Sequence, residues 1–177
     1  YGQYLDISFE SREVISIDEY WKMVEGKTAA LLGCSTRLGA MIAAKEGVEQ
    51  DKYYQLGFSI GMAYQVFDDW LGIWGQFEKT GKSTFSDLVQ SKKTLPVVLG
   101  IQDSRKFAER WKRGGILTRE AKELAEQLRK DGVMQNVLFK AKELNKKALI
   151  NLKELKIKND IKSALEELMN FLLNRQN

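Results

Sequence analysis

Apolar positions recur at helical spacing along most of the chain, and strand-like alternation never persists for more than a few residues. Residues 1–15 read as the end of a helix followed by a connector. Ser16-Ile17-Asp18-Glu19 has the form of a capping box and predicts a helix through Tyr20, Met23 and Val24. Gly26, beside Lys27, marks a junction. A second helix follows, patterned by Ala30, Leu31, Leu38, Met41 and Ile42 and closed by Gly47. Asp51 is placed to cap the next helix, which runs to Trp74 and is apolar on most sides, as a central helix should be.

Residues 76–86 read as a loop with a turn at Thr80-Gly81-Lys82-Ser83. A short helix begins near Leu95, where Pro96 is tolerated in the first turn. Gly114-Gly115 breaks the chain. After Thr118, Ala121, Leu124, Ala125 and Leu128 fall on one helical face, and two further helices are expected over about 133–155 and 160–174. The pattern predicts an all-α helical bundle over residues 1–177, in one domain.

Composition narrows the chemistry. A single proline in 177 residues agrees with a helical chain. There is no histidine, which removes Ser/His and Cys/His catalysis and histidine-based metal sites. Cys34 is the only cysteine, so no intrachain disulfide forms, and its setting is read as helix packing. The net charge is +4, and the lysines between Lys140 and Lys162 are interleaved with Glu143, Glu154 and Asp160. They read as a solvated face, not a nucleic-acid stripe. The most apolar stretch, residues 56–74, contains Asp68 and Asp69, and each would cost about 2.5 kcal/mol or more in a bilayer. No membrane span is expected, and a cytoplasmic location is.

The stretch from Tyr64 to Gly72 carries the main chemical signal. At 100° per residue, Gln65, Asp68, Asp69 and Gly72 share one helix face. Adjacent carboxylates on an apolar helix need a positive partner. Either lysines in a structural ion pair or a divalent cation meets that need. Mg²⁺ commonly takes one or two carboxylates and completes its shell with phosphate oxygens and water. Lys27-Thr28 upstream, and Gly81-Lys82, Lys92 and Lys93 downstream, with Asp87 among them, bring lysines whose ammonium groups are of the kind that hold phosphates.

Together these segments resemble the trans-isoprenyl diphosphate synthases of the polyprenyl synthetase family. Gly2-Gln3-Tyr4-Leu5-Asp6 is similar to the family's GQxxD segment, and Lys27-Thr28 to its KT pair. Gln65–Asp69 matches the second aspartate-rich motif. Gly81-Lys82, Asp87-Leu88 and Lys92–Pro96 match the GK, DL and KxTLP stretch. The specific resemblance runs from Gly2 to about Gly100. It implies the C-terminal part of the isoprenoid synthase fold and a Mg²⁺-dependent prenyltransferase that condenses an allylic diphosphate with isopentenyl diphosphate.

Carried over by position, the resemblance makes Asp68 and Asp69 metal ligands, with Asp6 a further candidate and Asp87 a support behind the metal. Lys27, Lys82 and Lys92 would hold the diphosphate, with Lys27, Lys82 and Asp68 the catalytic residues. Thr28, Gln65 and Gln3 would line the diphosphate site, and Tyr64 and Phe67 would flank the hydrocarbon chain. The resemblance also implies a homodimer. Two departures stand out: Gly72 occupies the place of the motif's third aspartate, and Gly75-Gln76 that of the usual Gly-Asp. The family's first aspartate-rich motif and its isopentenyl diphosphate-binding basic residues have no counterpart in residues 1–177. The chain therefore reads as the C-terminal half of a synthase, inactive on its own and completed by an N-terminal half or a partner subunit. A terpene cyclase-like enzyme and a non-catalytic partner subunit of a heteromeric synthase are the alternatives.

Overall fold

The computed structural model describes residues 1–75 and 84–173, and among them every regular element is helical. Helix α1 (Gly2–Glu10) leads through a connector into α2 (Ile17–Val24). The capping box forms as expected: Glu19 N–H donates to Ser16 Oγ at 3.2 Å, and Ser16 N–H donates to Glu19 Oε2 at 2.8 Å. Arg12 grips the same carboxylate through both terminal nitrogens, at 2.5 and 3.1 Å.

Gly26 does not interrupt the chain. Glu25–Ala29 form one π-helical turn and α3 (Ala30–Ile42) continues directly from it. Such a turn inserts one residue into the helical repeat. It lies where α1 crosses, and a Cβ on Gly26 would stand 2.9 Å from Gly2 N and 3.0 Å from its Cα. Two facing glycines let the backbones touch at that crossing.

Gly47 opens a helix instead of closing one. α4 (Gly47–Trp74) is 28 residues long and capped by the extended residue Glu46; Asp51 lies inside it and pairs with Arg37 at 3.3 Å. Thereafter come α5 (Ser86–Val89), α6 (Leu95–Asp103, with Pro96 in its first turn), α7 (Arg105–Trp111), α8 (Thr118–Lys130), α9 (Val133–Glu154) and α10 (Asn159–Leu173). The short helices α5 and α7 go beyond the sequence expectation.

α4 is the central element, packed along α3 on one side and α9 on the other. The main core gathers Tyr20, Val66, Ile73, Leu88, Leu128 and Val137 around it. A second cluster, with Leu56, Leu152 and Met169, seats α10 against α4 and α9. Each fully buried aliphatic side chain contributes about 1.5–3 kcal/mol by leaving water. The apolar residues that patterned α3 mostly point away from this core: Leu31, Leu38, Met41 and Ile42 are exposed, as are Tyr4 and Ile7 on α1 and Tyr1 just before it. Cys34 is also exposed, so the expectation that it packs inside the bundle is corrected. No helix of the described residues is long and apolar enough to cross a membrane.

Candidate active site

Asp69 sits at the centre of a buried network. It is 4% exposed, and both of its oxygens accept hydrogen bonds. Tyr20 Oη donates to Oδ2 at 2.7 Å and the Leu95 N–H to the same oxygen at 3.0 Å. Gln65 Nε2 donates to Oδ1 at 2.9 Å, and Thr28 Oγ1 donates to Gln65 Oε1 at 2.7 Å. Leu95 is the first residue of α6, whose preceding residue Thr94 makes no side-chain cap. Asp69 therefore satisfies an unpaired amide at that helix start from across the bundle. One carboxylate ties α2, the π turn, α4 and α6 together.

Burial pushes the Asp69 carboxyl up, to about 7. The Leu95 amide, Gln65 and Tyr20 work against that rise, and the nearby negative charge of Asp87 adds to it. Burial, with Asp69 beside it, raises the Tyr20 phenol well above its ordinary value.

Asp69 forms the floor of a cavity of about 310 Å³. Asp68, one residue earlier and half-buried, lines the same cavity, as do Asp6, Lys27, Gln65, Asp87 and Lys92. The two walls carry opposite charges in pairs: Lys27 Nζ lies 2.6 Å from Asp6 Oδ2, and Lys92 Nζ lies 3.2 Å from Asp87 Oδ1. The helical face inferred from 100° spacing holds, because Gln65, Asp68 and Asp69 all meet the cavity.

Some expected residues lie elsewhere. Gln3 is exposed on α1 and does not line the cavity. Thr28 acts through Gln65. Tyr64 lines a separate small pocket with Asn145, Met169 and Leu172, and Phe67 stacks on Trp70 in the core, with ring centroids 5.7 Å apart. Neither borders this cavity. Lys82 falls outside the described residues.

One residue of the network carried no signal in the sequence. Tyr20 looked like an ordinary core position of α2. Lys93 lines the cavity half-buried; its ammonium donates to the Glu10 carbonyl at 3.4 Å, and burial lowers its pKa. Thr94 also lines the cavity, and its buried Oγ1 has no hydrogen-bond partner.

The donor set bears on Mg²⁺. Among the described residues no three carboxylates are grouped so as to cage an ion. Asp69 already accepts three hydrogen bonds, and Asp68 lines the same cavity beside it.

Comparison with known proteins bears on the same residues. The sequence profile of the polyprenyl synthetase family matches residues 1–130. Over 96 residues the chain is 49% identical to a (2E,6E)-farnesyl diphosphate synthase of Mycobacterium tuberculosis, covering 54% of this chain and 27% of that protein. Over 180 residues it is 31% identical to a geranylgeranyl diphosphate synthase of Saccharolobus solfataricus, covering 99% of this chain and 54% of that protein. A polyprenyl synthetase structure from Streptomyces coelicolor superposes with a TM-score of 0.90 at 30% identity, over 97% of this chain and 54% of the other. A geranylgeranyl pyrophosphate synthase from Corynebacterium glutamicum, solved with isoprenyl diphosphate and magnesium, gives a TM-score of 0.90 at 27% identity, over 98% and 51%. The chain spans about half or less of the length of these relatives. With a profile match that takes in every described residue of the cavity, the chain belongs to the polyprenyl synthetase family.

Proposed function

We propose that the protein is a Mg²⁺-dependent trans-prenyltransferase that joins an allylic diphosphate to isopentenyl diphosphate, and that this chain provides the wall gripping the allylic diphosphate. The observation that carries the reading is the convergence of Asp68, Lys27 and Lys92 on one cavity, above a buried Asp69. The relatives named as farnesyl and geranylgeranyl diphosphate synthases support it, as does the related structure solved with isoprenyl diphosphate and magnesium.

Bound together with the substrate, Mg²⁺ would supply positive charge at the departing diphosphate oxygens. Asp68 would be the chain's direct ligand, and Asp69 would hold Asp68 in place through its anchors on α2 and α6. Lys27 and Lys92, each resting on a carboxylate, would turn toward the diphosphate and stabilise it as it leaves. Lys82 would join them, as the family resemblance implies. Proton removal after carbon–carbon bond formation needs no histidine, because the released diphosphate can accept the proton.

The same proposal assigns the facing wall of the cavity to another segment of the polypeptide or a partner subunit, and assembly to a homodimer. The exposed Tyr4, Leu31 and Leu38 on α1 and α3 offer apolar surface for such a wall. The isolated 177-residue chain is accordingly expected not to elongate prenyl chains; conversion of labelled isopentenyl diphosphate by that chain alone would refute this point.

The deciding experiment is Asp68→Ala in the native protein, assayed with labelled isopentenyl diphosphate. Turnover should fall by orders of magnitude while the melting temperature stays nearly constant. Retained turnover with a lowered melting temperature would make the pair structural and end the proposal.

A further inference from the structure

The outer face of α9 carries a pattern that the active site does not use. Phe139, Lys142, Lys146, Ile150 and Lys153 follow one another at steps of three or four residues, so they form one stripe about 21 Å long. The opposite face, with Val137, Ala141, Ala148 and Leu152, is fully buried in the bundle. The three lysines are exposed, and Phe139 and Ile150 keep 64% and 49% of their surface in water. Charge gathers here as well. Eight lysines and three acidic residues between 140 and 162 give this segment +5, whereas the whole chain carries +4. Glu143 pairs with Lys140 at 3.5 Å, and among the described residues no carboxylate pairs with Lys142, Lys146 or Lys153. Lys162 adds its charge at the end of the stripe, where its ammonium donates to the Lys153 carbonyl at 3.1 Å.

A face that another protein surface covers sheds lysine and keeps apolar groups, as α3 does with Leu31, Leu38, Met41 and Ile42. The stripe on α9 keeps both. One exposed apolar residue is ordinary. Two on a single stripe, each with a lysine on the adjoining turn, fit a surface that is anionic outside and apolar just beneath. A lipid bilayer is such a surface. Nucleic acid is also anionic, but it engages exposed apolar groups by stacking on aromatic rings, which Ile150 cannot offer.

We propose that the outer face of α9 docks the protein on an anionic lipid surface. Phe139 and Ile150 dip to the boundary between headgroups and acyl chains. Lys142, Lys146 and Lys153 lay their alkyl stems beside them and set their ammonium groups among the lipid phosphates. The contact is peripheral and uses no residue of the cavity.

The test is flotation of the native protein with vesicles of phosphatidylcholine alone and of phosphatidylcholine mixed with phosphatidylglycerol. The protein should float with the mixed vesicles, stay behind with the neutral ones, and detach as salt rises. Replacing Lys142, Lys146 and Lys153 together by Gln should weaken binding to the mixed vesicles by about a hundredfold, at about fivefold per lysine. Phe139→Ala with Ile150→Ala keeps every charge and should weaken binding by about tenfold. Both variants should keep the parent melting temperature and turnover, because all five side chains are exposed and none lines the cavity. No flotation of the native protein with the mixed vesicles overturns the proposal, as does a lysine variant that binds like the parent. An unchanged affinity after Phe139→Ala with Ile150→Ala overturns it too, since adsorption by charge alone is not insertion. So does a DNA duplex that displaces the mixed vesicles when the two compete at equal phosphate, a result that gives the face to nucleic acid.

Discussion

Tyr20 donates its phenolic proton to Asp69 across 49 residues of sequence, at 2.7 Å and with the whole tyrosine side chain out of water. The bond makes α2 a brace for the carboxylate helix. Tyr20→Phe removes only the hydroxyl and leaves Asp69 with two of its three donors, so a loss of about 1–2 kcal/mol in unfolding free energy is expected. Asp69→Ala strands the phenol, the Leu95 amide and the Gln65 amide together, and should cost more, about 2–4 kcal/mol. Denaturant unfolding of both variants measures the order; equal losses would mean that the network does not act through Asp69.

Glu19 provides a pH signature away from the site. Its hydrogen bonds from Arg12, and next from the Ser16 amide, lower its carboxyl pKa to about 2. A folded-state pKa below the unfolded value near 4.5 contributes stability that is complete above about pH 5 and disappears as pH falls toward 2. Glu19→Gln should lower stability at neutral pH and flatten the acid limb between those values, as read from melting temperatures across the range. Since the pair is partly exposed, the effect should shrink in high salt.

Gly57 lies where α4 presses against α3. A Cβ there would press on the Leu32 carbonyl, 2.8 Å from its carbon, and on the Thr36 hydroxyl. Gly57→Ala ordinarily favours a helix through propensity. Here the backbone must separate instead, and a net loss of about 1–3 kcal/mol is expected from thermal or denaturant melting.

Lys153 is the contrasting case. It is exposed on α9, and its carbonyl, not its side chain, accepts from Lys162 Nζ at 3.1 Å. Lys153→Ala should change stability by less than about 0.5 kcal/mol and leave turnover unaltered. A measurable drop in turnover would mean that the lysine-rich face takes part in activity.

The helices were legible because their apolar repeat is strong, and the site because its carboxylates and lysines stand in an ordered series. Errors arose where composition and placement diverge. Leu31, Leu38, Met41 and Ile42 gave α3 its apolar pattern yet stay exposed, since apolarity alone does not say which face meets the core. Gly47 and Asp51 each fit a boundary role, but the boundary was set by Glu46 adopting an extended backbone. Tyr20 could not be recognised as an anchor, because nothing local distinguishes a core tyrosine with a partner from one without. The five-residue interval between buried Val24 and buried Ala29 did carry a trace of the π turn, masked by the glycine between them.

That turn has a consequence for how this stretch can vary. The π turn takes up one extra residue in about the same total winding, so removing a single position from Glu25–Ala29 would restore ordinary α winding and leave α3 close to its present direction relative to α2. Lys27 and Thr28 would lose their alignment with Asp6 and Gln65 even though every side chain survived. A one-residue deletion at this turn re-aims the site residues it carries while the helices on either side keep their faces.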